Sequence, residues 1–70
     1  MMNDARLIAG RVLKRLIKEN FKSQAQFAEE YHIDLRTLSR YVNKEGINKV
    51  ELIQEFADYF DVPITYFFKE

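Results

Sequence analysis

Two arginines, Arg36 and Arg40, stand four residues apart in a segment whose hydrophobic pattern is helical, so their side chains share one face of a helix. A guanidinium group can donate two parallel hydrogen bonds, and O6 and N7 of guanine accept such a pair in the major groove of DNA. The competing interpretation is that both are solvated helix charges, paired with Asp34 or Glu45. The pattern therefore defines two alternatives that only the surrounding elements can separate.

Residue types that support enzymatic chemistry are scarce. The acid pair Glu29-Glu30 is adjacent and cannot share a helix face, and Asp58 and Asp61 have no base or nucleophile near them in sequence. There is no cysteine, and the single histidine, His32, is expected to be a solvent-facing turn residue. We therefore expect no enzyme, no catalytic residue, no metal site, no cofactor and no small-molecule ligand.

The chain has 70 residues and a net charge of zero, but its charge is unevenly distributed. Two segments are mainly basic: residues 1–22 contain six bases and two acids, and residues 34–49 contain four bases and two acids. The other two are mainly acidic: residues 23–33 contain two acids and no Lys or Arg, and residues 50–70 contain five acids and one base. A basic DNA-facing surface with an acidic surface on the opposite side would give this pattern, and so would solvated charges scattered over the helices. We expect one domain over 1–70, in the cytoplasm, because no signal-peptide or membrane-span pattern is present.

Helical periodicity runs through almost the whole chain and predicts an all-α fold. The predicted helices cover about 4–20, 24–31, 35–42, 49–60 and, after Pro63, a short 64–68. Predicted caps, in chain order, are Asn3 or Asp4, Ser23 with Gln26, Asp34, and Asn48 with Glu51. Predicted apolar faces include Ala5, Ile8, Ala9, Val12 and Leu16; Ala25, Phe27, Ala28 and Tyr31; Leu38 with Tyr41 or Val42; and Leu52, Ile53, Phe56, Ala57 and Phe60.

Two short helices joined by a tight turn form a helix-turn-helix arrangement. The residues that carry a family resemblance are Ser23-Gln24, Phe27-Ala28, Ile33, Thr37-Leu38-Ser39-Arg40 and Asn43, followed by Leu52, Phe56-Ala57, Phe60 and Val62. In this order and spacing the chain resembles the lambda repressor/Cro (XRE-type) family. The resemblance implies a compact domain of four to five helices with the helix-turn-helix at the second and third. Two departures are Val42-Asn43-Lys44, where many members have Glu-Asn-Gly, and His32, where glycine is common.

The resemblance implies a sequence-specific regulator of the Cro/repressor type, from a phage or mobile element, whose third helix enters the major groove of a double-stranded operator. The expected base contacts are Leu35, Arg36, Ser39 and Arg40. The expected DNA backbone contacts are Lys22, Gln24, Thr37, Asn43, Lys44 and Lys49. Three alternatives stay open: Gln24 only assists a cap, Ser39 only permits helix packing, and Asn43 is a left-handed helix terminator.

The C-terminal segment is rich in large apolar side chains: Ile64, Tyr66, Phe67 and Phe68. They either fold onto the domain's own core or form a protein interface. An interface would serve a homodimer matched to a palindromic operator, or a different protein partner. The alternative function is accordingly a protein-binding modulator, antirepressor-like or antitoxin-like, that binds a repressor rather than DNA.

Overall fold

The computed structural model of the chain describes residues 4–69, which form four α-helices and a C-terminal 3-10 helix. No strand occurs in that range, and the predicted all-α class is confirmed. The observed bounds differ from the predicted ones by at most one residue at either end. The elements are α1 (Ala5–Asn20), α2 (Gln24–Tyr31), α3 (Leu35–Asn43), α4 (Val50–Phe60) and the 3-10 helix Ile64–Phe68.

Helix α1 is capped at both ends by side chains. The Asp4 carboxylate accepts the Arg6 backbone N–H at 2.9 Å and the Arg6 guanidinium at 2.7 Å. These bonds lower the pKa of Asp4 to about 2, with the side-chain bond to Arg6 as the largest cause. The other candidate cap, Asn3, lies outside the described residues. At the far end, the Asn20 side-chain amide donates to the carbonyl of Leu16 at 2.8 Å.

The core is built around three fully buried phenylalanines, Phe27, Phe56 and Phe67, which come from α2, α4 and the 3-10 helix. Burying one such side chain contributes about 1.5–3 kcal/mol, so the C-terminal segment is part of the core. The other buried hydrophobic side chains are Ala9, Val12, Leu13, Leu16, Ile17, Ala28, Leu38, Val42, Ile47, Ile53 and Ala57.

The predicted apolar faces need two corrections. Ala5 and Ala25 are exposed, because each lies in the first turn of its helix, where the neighbouring elements do not cover it. Tyr31 and Phe60 are only half-buried and lie at the edge of the core, with their rings stacked on Phe27 at centroid distances of 5.3 and 5.6 Å.

The Tyr31 hydroxyl donates to Glu55 at 3.3 Å and so ties the end of α2 to α4. Burial, followed by the charge of Glu55, raises the pKa of Tyr31 to about 12.

Helix α1 and the end of α3 approach each other at two glycines. A Cβ at Gly10 would lie well inside van der Waals contact with the Tyr41 carbonyl oxygen, and 3.2 Å from the Cα of Gly46. Gly46 itself has φ +78° and packs on the backbone of Arg6, and the Ile47 N–H donates to the Arg6 carbonyl at 3.0 Å. This backbone-to-backbone contact fixes the position of the α3 end and its following loop on α1.

Candidate nucleic-acid interface

The turn between α2 and α3 consists of three residues with a defined geometry. His32 is exposed and adopts the left-handed conformation, with φ 66° and ψ 46°. The Ile33 N–H then donates to the carbonyl of Ala28 at 2.9 Å, which closes the helix end in a Schellman motif. Asp34 begins α3 by accepting the N–H groups of Arg36 and Thr37 at 3.0 and 3.3 Å. The turn therefore forms with histidine at the position where glycine is common, and it sets the direction in which α3 leaves.

Helix α3 buries one face and exposes the other. Leu38 and Val42 face the core, and Tyr41 is half-buried. On the opposite face, Leu35 is 45% exposed, Arg36 and Arg40 are exposed, and Ser39 is half-buried between them; Thr37, at the edge, is half-buried. The four expected base-contacting residues thus lie together on the solvent face.

Arg40 has a neighbouring acid and Arg36 does not. The Arg40 Nε lies 3.8 Å from the Glu45 carboxylate, and both side chains are more than half exposed. Such a surface pair contributes little to stability and exchanges readily for another anion or acceptor. For Arg36, the described residues contain no ion pair or side-chain hydrogen bond. Asp34, the other acid considered as a partner, is instead committed to the cap.

Asn43 does not lie in the loop after α3, as the sequence suggested, and it is not a left-handed terminator. It is the last residue of α3, and the cap residue that follows is Lys44, with φ −133°. The Asn43 amide nitrogen donates to the Ser39 hydroxyl at 3.2 Å, and its oxygen accepts from the Lys14 ammonium at 3.0 Å. The reason for the extra helical residue is that Lys44 N–H and Glu45 N–H both reach the Arg40 carbonyl, which extends the final turn.

The start of α2 also differs in detail from the predicted capping box. The Ser23 hydroxyl accepts the Gln26 N–H at 3.0 Å, as expected. The Gln26 side chain, however, accepts the N–H of Lys22 at 2.7 Å rather than that of Ser23, so it stabilises the chain one residue earlier. Gln24, the first residue of α2, is half-buried and makes no side-chain contribution to this cap among the described contacts.

The loop after α3 places two lysines at the surface. Lys44 and Lys49 are both exposed, on either side of the Gly46-Ile47 contact with α1. The predicted Asn48–Glu51 cap is wrong: Lys49 is the N-cap residue of α4, and no side-chain cap bond forms in this described segment. The helix begins one residue later than expected, and the side chain of Lys49 has no acceptor for a backbone N–H.

Two lysines that the sequence-based set of contacts omitted lie beside these residues. Lys14 and Lys18 of α1 line a cleft of about 560 Å³ together with Asn43 and Lys44. The same two lysines line a second cleft, of about 190 Å³, with Lys22, Ser23 and Gln24. The spacing of Lys14 and Lys18 by four residues was the available signal, because it puts them on one face of α1.

Comparison with known families places the chain in one of them. The family described as Helix-turn-helix matches residues 13–67, most of its length. The chain belongs to the XRE-type helix-turn-helix family. Comparison with curated proteins and with solved structures gives no significant match. The family is the lambda repressor/Cro-like one, a DNA-binding and non-enzymatic domain, so this XRE-type chain is a DNA-binding helix-turn-helix regulator.

The C-terminal residues of this XRE-type domain divide into two groups. Phe67 is fully buried, so it must be removed from the predicted protein interface: it points into the core between α1 and α4, against which the 3-10 helix packs. Ile64 is half-buried against the core. Tyr66 and Phe68 remain 36% and 39% exposed, and the Arg15 guanidinium lies 5.9 Å from the centre of the Tyr66 ring.

Residues 4–69 contain neither a cluster of metal-ligating side chains nor a membrane-spanning helix. No three His, Asp or Glu side chains converge there into a group that could hold a metal ion. No helix in the same range is long and apolar enough to cross a membrane.

Proposed function

We propose that this XRE-type domain is a sequence-specific transcription regulator of the Cro/repressor type whose helix α3 enters the major groove. The observation that carries the proposal is the exposed face of α3, where Arg36 and Arg40 follow the Asp34 cap and lie beside Leu35. The first turns of such a helix approach the base edges, and arginine is the residue type best suited to guanine. The repressor role and a phage or mobile-element source are supported by the resemblance to Cro-like regulators.

With α3 in the major groove, the remaining expected contacts would be made to the DNA backbone. Lys22 and Gln24 would meet a phosphate at the start of α2, where backbone N–H groups also favour an anion. Lys44 and Lys49 would hold a strand from the loop after α3, with Asn43 at its helical end. Thr37 is half-buried in the first turn of α3, close enough to the surface for its hydroxyl to reach a phosphate. These contacts fix orientation and add affinity for any sequence.

The experiment is selection of bound duplex fragments from the source genome, followed by titration of the enriched sequence and of a scrambled duplex. Arg36→Ala and Arg40→Ala should each weaken operator binding by about 5- to 140-fold, which corresponds to about 1–3 kcal/mol. The matched controls are Arg36→Lys and Arg40→Lys, which keep the charge but lose the two-pronged hydrogen bond. They should retain binding to the scrambled duplex and lose preference for the operator.

Each result distinguishes base contacts from simple charge. If the lysine variants keep full operator preference, the arginines contact phosphates and the proposed assignment of base contacts fails. If the native chain enriches no sequence and binds every duplex only in the range of about 10⁻⁴–10⁻⁶ M, sequence-specific regulation is refuted.

A second candidate function has an observation of its own. Tyr66 and Phe68 are exposed on a segment whose other aromatic, Phe67, is buried, and Tyr59 of α4 is 43% exposed. Such a surface fits a homodimer on a palindromic operator, or a repressor protein that this domain modulates. Sedimentation of the native chain and of Tyr66→Ser/Phe68→Ser, with and without operator DNA, tests this. If those changes abolish regulation while the Arg36, Arg40, Lys44 and Lys49 alanine variants leave it intact, the domain acts through protein.

A further inference from the structure

Helix α1 carries a dense row of positive charge beside the helix-turn-helix. We define the α1 basic strip as Arg11, Lys14, Arg15 and Lys18, which line one cleft together. The two lysines of the strip, Lys14 and Lys18, also line the second cleft, where Lys22 joins them. The only acid of α1 is Glu19, and it lines neither cleft.

This arrangement costs stability in the free protein. Lys14 and Lys18 are four residues apart on α1, and like charges at that spacing repel each other on a helix surface. Within residues 4–69, Lys18 has neither an ion pair nor a side-chain hydrogen bond, and it is exposed. A bound polyanion would remove the repulsion and use the free donors.

The strip is physically joined to the face proposed to meet DNA. The Lys14 ammonium donates one hydrogen bond to Asn43, the last residue of α3, and has two further N–H groups. Asn43 is in turn held by Ser39 on the exposed side of α3. Lys14 is therefore positioned at the end of the major-groove helix with donors to spare, and Lys18 follows about 6 Å further along α1.

We infer that the α1 basic strip is a phosphate-binding surface that extends the contact with duplex DNA past the helix-turn-helix, onto backbone next to the strand held at the start of α2. The inference rests on the proposed function, since it needs α3 in the groove. The ligand is the DNA phosphate backbone and not an acidic protein, because the strip is continuous with both clefts that flank α2 and α3. The contact is independent of sequence, since ammonium groups on phosphates carry no base information.

The test is the salt dependence of DNA binding by the full chain. Each phosphate contact adds about 0.9 to the slope of log K against log salt for duplex DNA. Lys14→Gln/Lys18→Gln should therefore lower the slope by about 1.8. Between 200 and 50 mM salt, the native chain should then gain about 12-fold more affinity than the variant. Operator preference over a scrambled duplex should stay the same.

Three control variants separate a phosphate contact of the α1 basic strip from an effect on the fold. Lys69→Gln removes the same charge at a residue that lines neither cleft, and it should leave the slope unchanged. Lys14→Arg keeps the charge and should keep the native slope. Lys18→Gln alone should lower the slope by about 0.9 without lowering the unfolding midpoint, because it breaks no contact and relieves the repulsion from Lys14.

The outcomes are distinct from those of the parent proposal. An unchanged slope in Lys14→Gln/Lys18→Gln, with native operator preference, overturns the strip and leaves the regulator intact; capture of an acidic protein by the strip would then be the explanation to pursue. A lowered salt slope with preserved operator preference supports the α1 basic strip as a phosphate-binding surface. A native chain that binds no DNA overturns both.

Discussion

The contact between α1 and the end of α3 gives the sharpest stability prediction, at Gly10. In the Gly10→Ala variant the new Cβ would overlap the Tyr41 carbonyl oxygen and would also lie 3.2 Å from Gly46 Cα and 3.3 Å from the Tyr41 carbonyl carbon. All three obstructing atoms are backbone, so no side chain can rotate away. The end of α3, or the loop after it, has to move.

The magnitude follows from two opposing effects. Overpacking a tight contact costs about 1–3 kcal/mol, and a backbone obstruction belongs at the upper end of that range. Replacing glycine by alanine inside a helix stabilises it by about 1 kcal/mol. The net loss is about 2 kcal/mol, set against a total of about 3.5–10 kcal/mol for a 70-residue domain. The thermal midpoint should fall by about 8–16 °C.

Urea unfolding followed by helical circular dichroism measures the loss, with Glu19→Ala as the control. Glu19 is an exposed position on the same helix, and its variant should stay within about 0.5 kcal/mol of the native chain. A Gly10→Ala midpoint equal to or above the native one would mean that α1 and α3 do not approach at this glycine. The placement of Asn43 beside Lys14 would then fail with it.

Two further predictions concern charge. Glu45→Gln should tighten DNA binding by about two- to five-fold at low salt, because it frees Arg40 from a pair worth about 0.2–1 kcal/mol. The change also removes an acid from the loop proposed to face phosphates. Equal or weaker binding in a fluorescence-anisotropy titration would contradict this prediction. Because the pKa of Tyr31 is about 12 in the folded chain and 10.0 without the fold, its contribution to stability is complete below pH 10 and is lost as the pH rises toward 12. Tyr31→Phe should therefore show a shallower alkaline loss of stability than the native chain in urea unfolding at pH 9 to 11, and an equal loss in the two proteins would contradict this assignment.

The helices and the face of α3 were predictable because the forces that set them are local. Ser23 and Asp34 each accept N–H groups two or three residues away, so the starts of α2 and α3 can be predicted from a few letters of sequence. The four-residue spacing of the apolar Leu38 and Val42 determines which face of α3 is buried and which face is exposed to solvent. The failed Asn48 cap shows the limit of such local rules, since a one-residue shift of the helix start removes the acceptor.

What the sequence did not predict depends on how helices cross. The bond from Lys14 to Asn43 joins residues 29 apart in the chain, and it exists only because two glycines let the backbones of α1 and the α3 loop approach. The sequence does not separate Phe67 from its exposed neighbours, because a short apolar run does not show which of its members a 3-10 turn directs inward. Periodicity over five residues cannot supply that choice, and packing against α1 and α4 does.

A net charge of zero argues against DNA binding only if acids and bases are mixed over the whole surface, and most acids of this chain lie outside the segments 1–22 and 34–49 that hold most of its bases. Among the described residues, none of the acids after residue 50 lines either of the clefts that hold Lys14 and Lys18. The described chain measures 33 × 24 × 21 Å, whereas charges in 0.1 M salt are screened over about 10 Å. An acid on the far side of the domain is therefore more than one screening length from a bound phosphate. A phosphate bound as proposed would experience the local set of cations around α2, α3 and α1. Balancing acids elsewhere would affect solubility and long-range approach more than affinity at contact.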